Sequence, residues 1–230
     1  MLSMSLQQYD SFLKEHTLST NKEQTAMVKR VGGKVQSAVE RYFAAKGLQS
    51  RLADYKWEFN LVEDKQVNAW CMPGGKVVVY TGLLPVAQGE AGLAVVMGHE
   101  IAHAIAEHGN ERMSQGLLAQ FGGSALGEAL SSKPAATKQL WMSVYGLGTQ
   151  YGALLPYSRL QESEADRLGL VFMAMAGYDP NLAVPFWQRM AAQKQGQAPP
   201  EFLSTHPSDA TRIANLKRLV PEAMEYFRPS

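Results

Sequence analysis

The sequence GLAVVMGHEIAHAIAEH, residues 92–108, contains the pattern His99-Glu100-x-x-His103 within a run of helical character. Two imidazoles four residues apart lie on one face of a helix, so His99 and His103 can bind one metal ion from adjacent turns. Glu100 is rotated about 100° around the helix axis from His99, which places its carboxylate beside a metal-bound water. The pattern therefore predicts the metal-binding helix of a zinc hydrolase.

The residues around this pattern distinguish a metal site from a polar surface. They are apolar almost all round the helix, among them Leu93, Val96 and Ile101, so the helix is predicted to be buried. Buried His and Glu side chains need partners or a metal. The alternative is a solvated surface pattern that matches HExxH by chance.

The composition of the chain fits one large domain with a substantial core. Its 230 residues are 46% hydrophobic and 19% charged. Basic residues number 22 against 21 acidic ones with no basic run, so neither nucleic acid nor phosphate is an expected ligand. Cys71 is the only cysteine, which excludes an intrachain disulfide and leaves a thiolate zinc site without partners. The sequence contains neither a signal peptide nor a run of ~18 apolar residues, so we expect a soluble chain. In a full-length precursor, an export or lipid-anchor segment could precede it.

Hydrophobic periodicity predicts helices around a small sheet. Apolar residues recur at every third and fourth position from about Lys22 to Ala45, which indicates a helix. Residues 55–62, 67–72 and 76–80 read as strands, and Pro73-Gly74-Gly75 forms the turn between the last two. The predicted fold class is α+β, with one domain over residues 1–230. Its parts are an N-terminal helical segment at 1–50, a small, mainly antiparallel sheet at 55–80, a zinc helix at 90–109, a further helix at 158–176, and a His-Pro loop and helix at 204–220.

A catalytic zinc keeps three protein ligands and one open position, so a third ligand is required. His108 fits poorly and is expected to cap the end of the zinc helix. The next acidic helix offers Glu162, which shares a face with Asp166, whereas Glu164 points roughly the opposite way. We predict that Glu162 binds zinc and that Asp166 accepts the distal N–H of a ligand imidazole, most directly His99. The alternative is an exposed acidic face.

Six short motifs occur in the order expected for one enzyme family. They are Asn68-Ala69, Pro73-Gly74-Gly75, Thr81-Gly82-Leu83-Leu84, His99-Glu100-x-x-His103, Ser158-Arg159-x-x-Glu162-x-x-Ala165-Asp166, and His206-Pro207 followed by Arg212-Ile213. On these residues the chain resembles the HtpX/BepA/LoiP-like zinc metalloendopeptidases of metallopeptidase family forty-eight, which also includes the CAAX prenyl-protein proteases.

The resemblance implies a mainly helical, zincin-like fold of the gluzincin type. It implies one zinc ion per chain on His99, His103 and Glu162, with Glu100 as the general base. Protein or peptide substrates, among them misfolded envelope proteins, and a location in the bacterial periplasm or at the envelope are also implied. The chain departs from membrane-integrated members because it shows no membrane helices, and from others because it has no helical-repeat tail after residue 220.

Three further residues receive predicted roles. Asn68 and Ala69, at the rim of the sheet, would bind substrate backbone as a peptide adds like an extra strand. The alternative for Asn68 is a simple turn residue. The resemblance places His206 at the active-site cleft, where it could fill the fourth position on zinc or stabilise an oxyanion. A solvated or capping histidine is the alternative.

The predicted function is a zinc-dependent endopeptidase, with protein quality control in the envelope as its setting. One alternative is a peptide-binding chaperone or assembly factor whose zinc is structural or latent. A purely structural site has no use for the Glu100 carboxylate, which argues against this alternative. A zinc hydrolase that acts on small amides is the third possibility, which the family resemblance disfavours.

Overall fold

The computed structural model describes residues 2–131, 133, 135–149, 155–193, 202–203, 206 and 210–229. They fall into two compact units, Met1–Ala106 with Ser163–Ser230 and, separately, Glu107–Glu162. The prediction of a single domain stays a prediction. Among the described residues, no helix has both the length and the apolar character needed to cross a membrane.

The described elements confirm the α+β class and a mainly helical chain. In order they are α1 (Leu2–Glu15), α2 (Lys22–Ala45), β1 (Glu58–Val62), β2 (Ala69–Met72), β3 (Lys76–Tyr80), α3 (Leu84–Ala87), α4 (Glu90–Ile105), α5 (His108–Ala129), α6 (Ala135–Thr149), α7 (Leu155–Met175), α8 (Ala183–Ala192) and α9 (Ala210–Met224). Short 3-10 helices lie at Gln49–Leu52, Thr81–Leu83 and Pro180–Leu182.

The sheet has the order β1-β3-β2, and its pairing differs from the prediction. β2 and β3 form the expected antiparallel hairpin, whose turn is closed by Gly74 and Gly75 at positive φ angles of 89° and 83°. β1, however, runs parallel to β3, so the sheet is mixed rather than mainly antiparallel. All five residues of β3 are buried, as expected for a central strand covered on both faces. Strand periodicity identifies such a strand but does not say which neighbours it takes.

Alternate residues of the sheet pack into two hydrophobic clusters. Val77 and Val79 belong to the main core together with apolar residues of α2 and α4. Val78 and Tyr80 point to the other face, where Tyr9 of α1 covers them. The sheet is therefore buried on both sides, with the metal-binding helix on one of them.

The two outer strands present different edges. Beyond β1, the amide of Ser19 donates to Leu61 O at 2.8 Å, so the preceding segment covers that edge. On the β2 side, Tyr80 N of β3 donates to Asn68 O at 3.1 Å. This hydrogen bond fixes which residues of β2 turn their backbone groups towards β3. The backbone groups of Ala69 and Cys71 consequently face away from β3, along the outer edge of β2.

The helix α4 is buried over its whole length from Gly92 to Ile105, as the sequence predicts. It ends at Ile105 rather than near Gly109, because Glu107 adopts a left-handed conformation with φ of 59° and turns the chain. The capping role expected of His108 stays a prediction. That residue is the first of α5, and its side chain is buried.

Within the unit Glu107–Glu162, the helices α5 and α6 pack against each other. The hydroxyl of Tyr145 donates to Ala119 O at 2.9 Å, and Gly122 leaves room for the same hydroxyl. The glycine and alanine content of this region thus permits close packing of two helices.

The backbones of α4 and α7 touch where two glycines meet. A Cβ atom on Gly98 would lie 2.9 Å from Gly169 O, and one on Gly169 would lie 2.9 Å from His99 N. Both distances are too short for a side chain, so only glycine permits this crossing. The contact lies at the first histidine of the HExxH pattern and fixes the distance between the two helices.

We expect Gly169→Ala to lower the free energy of unfolding by about 1–3 kcal/mol, the usual cost of overpacking a filled interior. Urea unfolding of the metal-free chain measures this loss. The matched control is Gly33→Ala, at a helical position where a Cβ atom meets nothing within 4 Å. That substitution should stabilise the chain by up to about 1 kcal/mol. A neutral or stabilising Gly169→Ala would show that the crossing is not tight.

Candidate metal centre

Four buried side chains converge on one point: His99, His103, Glu162 and His206. Each offers one ligand atom, and these atoms all lie within 4.8 Å of one another. The two histidines of α4 stand one helical turn apart, as their spacing predicts. Glu162 lies on α7, which extends from Leu155 to Met175.

The distances between the imidazole nitrogens fit a tetrahedral metal ion. His99 Nε2 lies 3.0 Å from His103 Nε2 and 3.3 Å from His206 Nδ1. Two nitrogen ligands on one tetrahedral zinc, with bonds of about 2.0–2.1 Å, would be about 3.3 Å apart. Three imidazoles and a carboxylate, all buried, are also the ligand types that zinc prefers. These residues therefore fit zinc.

Asp166 holds the His99 ring from the side opposite this group. Its Oδ1 lies 3.0 Å from His99 Nδ1, which is the contact that the sequence predicts. A carboxylate at this nitrogen keeps the proton on Nδ1 and leaves the Nε2 lone pair directed at the other ligand atoms. The helix period distinguished correctly between the faces of α7, since Glu162 and Asp166 are buried and Glu164 is exposed.

A buried arginine keeps Asp166 ionised. Arg212 Nε donates to Asp166 Oδ2 at 2.9 Å, and Nη2 donates to Oδ1 at 2.7 Å. Burial alone would raise the pKa of Asp166, but the Arg212 charge and the hydrogen bond with His99 together hold it below its usual value. The acceptor for His99 Nδ1–H is therefore favoured in its charged form.

The sequence motifs include Arg212 but assign it no role. Its guanidinium carbon lies 3.5 Å from the centre of the Trp187 ring, and Nη1 donates to His206 O at 3.3 Å. One side chain thus joins Asp166, the backbone of His206 and an aromatic ring of α8. Its spacing of six residues from His206 was the available signal, but spacing alone cannot show a contact with Asp166.

Glu100 lies beside the four ligand atoms without belonging to their group. Its carboxylate is buried, and its Oε1 is 3.5 Å from His206 Nε2. Burial, followed by the charge of Glu100, raises the pKa of the Cys71 thiol well above its usual value. The outer strand β2 therefore passes close to the Glu100 carboxylate.

The structure gives Asn68 a local partner as well as a place at the rim. Its Oδ1 accepts a hydrogen bond from Ala69 N at 2.9 Å, which is typical of a residue that shapes a turn. Ala69 is buried, and its carbonyl lies on the outer edge of β2. A peptide that adds to this strand would thus meet backbone groups of Ala69 and Cys71.

Comparison with known families gives a match that covers most of the chain. Residues 30–220 match Peptidase family M48. The chain belongs to this family. The resemblance drawn from the six motifs is confirmed, and with it the predicted class of enzyme, a zinc metalloendopeptidase with a zincin-like fold.

Curated relatives of this M48 peptidase are similar over most of the chain. The mitochondrial metalloendopeptidase OMA1 of Schizosaccharomyces pombe is 38% identical over 193 residues, which are 82% of this chain and 53% of that protein. The metalloendopeptidase OMA1 of Homo sapiens is 33% identical over 181 residues, 76% of this chain and 34% of that protein. The beta-barrel assembly-enhancing protease of Yersinia pestis is 33% identical over 168 residues, 70% of this chain and 34% of that protein.

The M48 chain spans between a third and about half of the length of these relatives. Their names include both mitochondrial enzymes and a bacterial one, so family membership does not determine the compartment. The periplasmic location stays a prediction. Proteins or peptides are the substrates expected of the class.

We expect Arg212→Gln to lower the free energy of unfolding by about 3–5 kcal/mol, because it leaves the Asp166 carboxylate buried without its cation. Urea unfolding measures the change. Arg218→Gln, at an exposed position on the same helix, is the control and should stay within about 0.5 kcal/mol of the wild type. Equal stability of the two variants would mean that the guanidinium does not support the site.

Proposed function

We propose that this chain hydrolyses peptide bonds within protein substrates at the centre formed by His99, His103, Glu162 and Glu100. The single observation that supports this most strongly is the buried group of ligand atoms within 4.8 Å, with a separate carboxylate beside it. A structural zinc site would need the ligands but not the extra carboxylate. The arrangement therefore favours catalysis.

Three side chains would hold the metal, and a fourth would orient them. His99, His103 and Glu162 are the proposed ligands, and Asp166 fixes the tautomer and the ring plane of His99. When zinc is bound there, it supplies a Lewis acid for the scissile carbonyl and lowers the pKa of water from 15.7 toward about 7. Arg212 acts through Asp166 and is a positioning residue.

Glu100 is the proposed general base. Its carboxylate takes a proton from the attacking water and then delivers it to the leaving amine. The helix places this group one residue after His99, so it stays next to the ligand atoms without taking a position among them. Its burial excludes bulk water, which strengthens its interaction with the reacting groups.

The outer edge of β2 is the proposed substrate-binding strand. The backbone groups of Ala69 and Cys71 face away from β3, and Cys71 lies near Glu100. An extended peptide that pairs with this edge would run past the general base with its backbone aligned. Asn68 would contribute at the rim by holding the start of the strand in shape.

His206 is proposed to keep the centre latent. Its Nδ1 lies 3.3 Å from His99 Nε2, as expected for a fourth ligand in place of water. The enzyme would become active when the His206 ring leaves this position. An oxyanion-stabilising role is the alternative, since Nε2 of the same ring lies 3.5 Å from Glu100 Oε1.

Misfolded envelope proteins are the proposed substrates. The bacterial periplasm or envelope is the proposed location, and a lipid anchor is proposed for the full-length precursor. The name of the Yersinia pestis relative, a beta-barrel assembly-enhancing protease, supports this setting. The same name favours the second candidate function, an assembly factor that binds peptides and cleaves rarely. Fractionation of the source cells, with the full-length protein followed by immunoblot, tests the location.

We expect Glu100→Gln to keep zinc and the fold but to lower the rate of casein cleavage by about 10²–10⁴-fold, because it removes only the base. Zinc content and cleavage are measured on the same samples. The control is Glu164→Gln, an exposed carboxylate on α7 that should leave both unchanged. Near wild-type cleavage by Glu100→Gln would exclude the proposed mechanism, and a zinc-loaded wild type without cleavage would favour the assembly factor.

We expect His206→Ala to raise casein cleavage several-fold, because it opens the fourth position at the metal. The zinc content should be retained, since three ligands remain. A lower rate with zinc retained would instead support the oxyanion role. No change in rate or in zinc affinity would show that His206 has no function in the centre.

A further inference from the structure

A second concave site lies in the unit that contains the sheet, away from the metal-binding residues. It is a groove of about 570 Å³ between α2, the end of α7 and the segment that follows α9. Five cationic residues line it, and the described lining contains no carboxylate: they are Lys29, Arg30, Lys34, Arg41 and Arg228. Such a concentration of positive charge in a concavity attracts anions.

Contacts within the chain account for only part of this charge. Arg30 Nε donates to Glu90 Oε1 at 2.7 Å, and Arg41 Nη2 donates to Met175 O at the C-terminal end of α7 at 2.6 Å. Within the described part of the chain, Lys29 and Lys34 make neither a hydrogen bond nor an ion pair, although Lys34 lies 5.1 Å above the Tyr178 ring. Arg228 Nη1 donates to Phe227 O at 2.7 Å and to Glu225 O at 3.1 Å. Contacts within the chain therefore account for the three arginines in part, but not for the two lysines.

A glycine keeps the floor of the groove open. Glycine inside a helix is unfavourable because of its backbone entropy. Packing explains the glycine at position 32, since a Cβ atom there would lie 2.3 Å from Phe59 Cδ1. The next residue, Gly33, lines the groove, and a Cβ atom there would meet nothing within 4 Å. Packing within the chain does not require glycine at this position, whereas a ligand that approaches the helix backbone would.

We propose that this groove binds a phosphate group. Five cations exceed what a single carboxylate neutralises, and the planar guanidinium forks match the oxygens of phosphate. The Ser37 hydroxyl on the same helix face offers a further hydrogen-bond donor. No run of basic residues marks the site in the sequence, because the cations are spaced along α2 and completed by Arg228. The proposal differs from the initial expectation that phosphate is not a ligand, and the experiment below decides between them.

The phosphate can belong to a soluble phosphate ester or to the headgroup of an anionic phospholipid. Both present the same oxygens to the groove, so the site chemistry is shared. A soluble ligand would bind without a membrane, whereas a headgroup would bring this surface against a bilayer. Two arms of one experiment distinguish the soluble ester from the lipid headgroup.

In the first arm, inorganic phosphate is titrated into the zinc-loaded, isotope-labelled chain, and backbone amide shifts are followed by NMR. We expect saturable shifts at Gly33, Ser37 and Gly177, which line the groove. Lys29→Gln should weaken this binding about fivefold, whereas Lys22→Gln, an exposed lysine of α2 outside the groove, should not. Shifts in the groove report on this site even where phosphate also binds the metal.

A second variant tests the role of the open floor. Gly33→Leu suits a helix better than glycine, so the melting temperature should be retained or raised, while its side chain fills the groove and abolishes the shifts. Lost shifts with a retained melting temperature support the site. Unchanged phosphate binding by Gly33→Leu would overturn the proposal.

In the second arm, sedimentation with vesicles identifies the source. A lipid headgroup is assigned if the chain binds phosphatidylcholine vesicles that contain phosphatidylglycerol but does not bind vesicles of phosphatidylcholine alone. Lys29→Gln should then weaken vesicle binding as it weakens phosphate binding. Phosphate binding without vesicle binding assigns a soluble phosphate ester. The proposal fails if the groove amides do not respond to phosphate and the chain does not sediment with the anionic vesicles, or if Lys22→Gln weakens binding as much as Lys29→Gln.

Discussion

The direct contact between the backbones of α4 and α7 is the constraint on which the candidate centre depends. No side chain separates the helices at Gly98 and Gly169, so the distance between them is set by hard contact of main-chain atoms. His99 follows the first glycine and Asp166 precedes the second by one helical turn. The hydrogen bond between these two residues therefore lies beside this hard contact, which fixes the distance that it spans.

Electrostatics adds a second level of support. An imidazole, a carboxylate and a guanidinium are buried in series from His99 through Asp166 to Arg212. Each charged group would be costly to bury alone, and each lowers the cost of the next. The Trp187 ring covers the guanidinium and keeps water from competing with these bonds. The candidate centre of this M48 chain is thus held by a charge series that reaches α9.

Local sequence patterns predicted those features that depend on neighbours in the chain. The bounds of α2, the burial of α4 and the burial of Glu162 but not Glu164 all follow from the helix period. The parallel pairing of β1 did not follow, because alternation shows which residues form strands but not which strand lies beside another. The contacts of Arg212 and the basic groove were missed for the same reason, since both join residues distant in sequence. The turn at Glu107 lacked the glycine that usually marks a left-handed residue.

The long separation between His99 and Arg212 has a consequence for biosynthesis. The two residues are 113 positions apart, and both His206 and Arg212 leave the ribosome after every other element of the centre. A growing chain therefore has its HExxH helix long before it has the cation that balances Asp166. The charge series that orders the His99 ring therefore cannot form until the helix α9 has been synthesised.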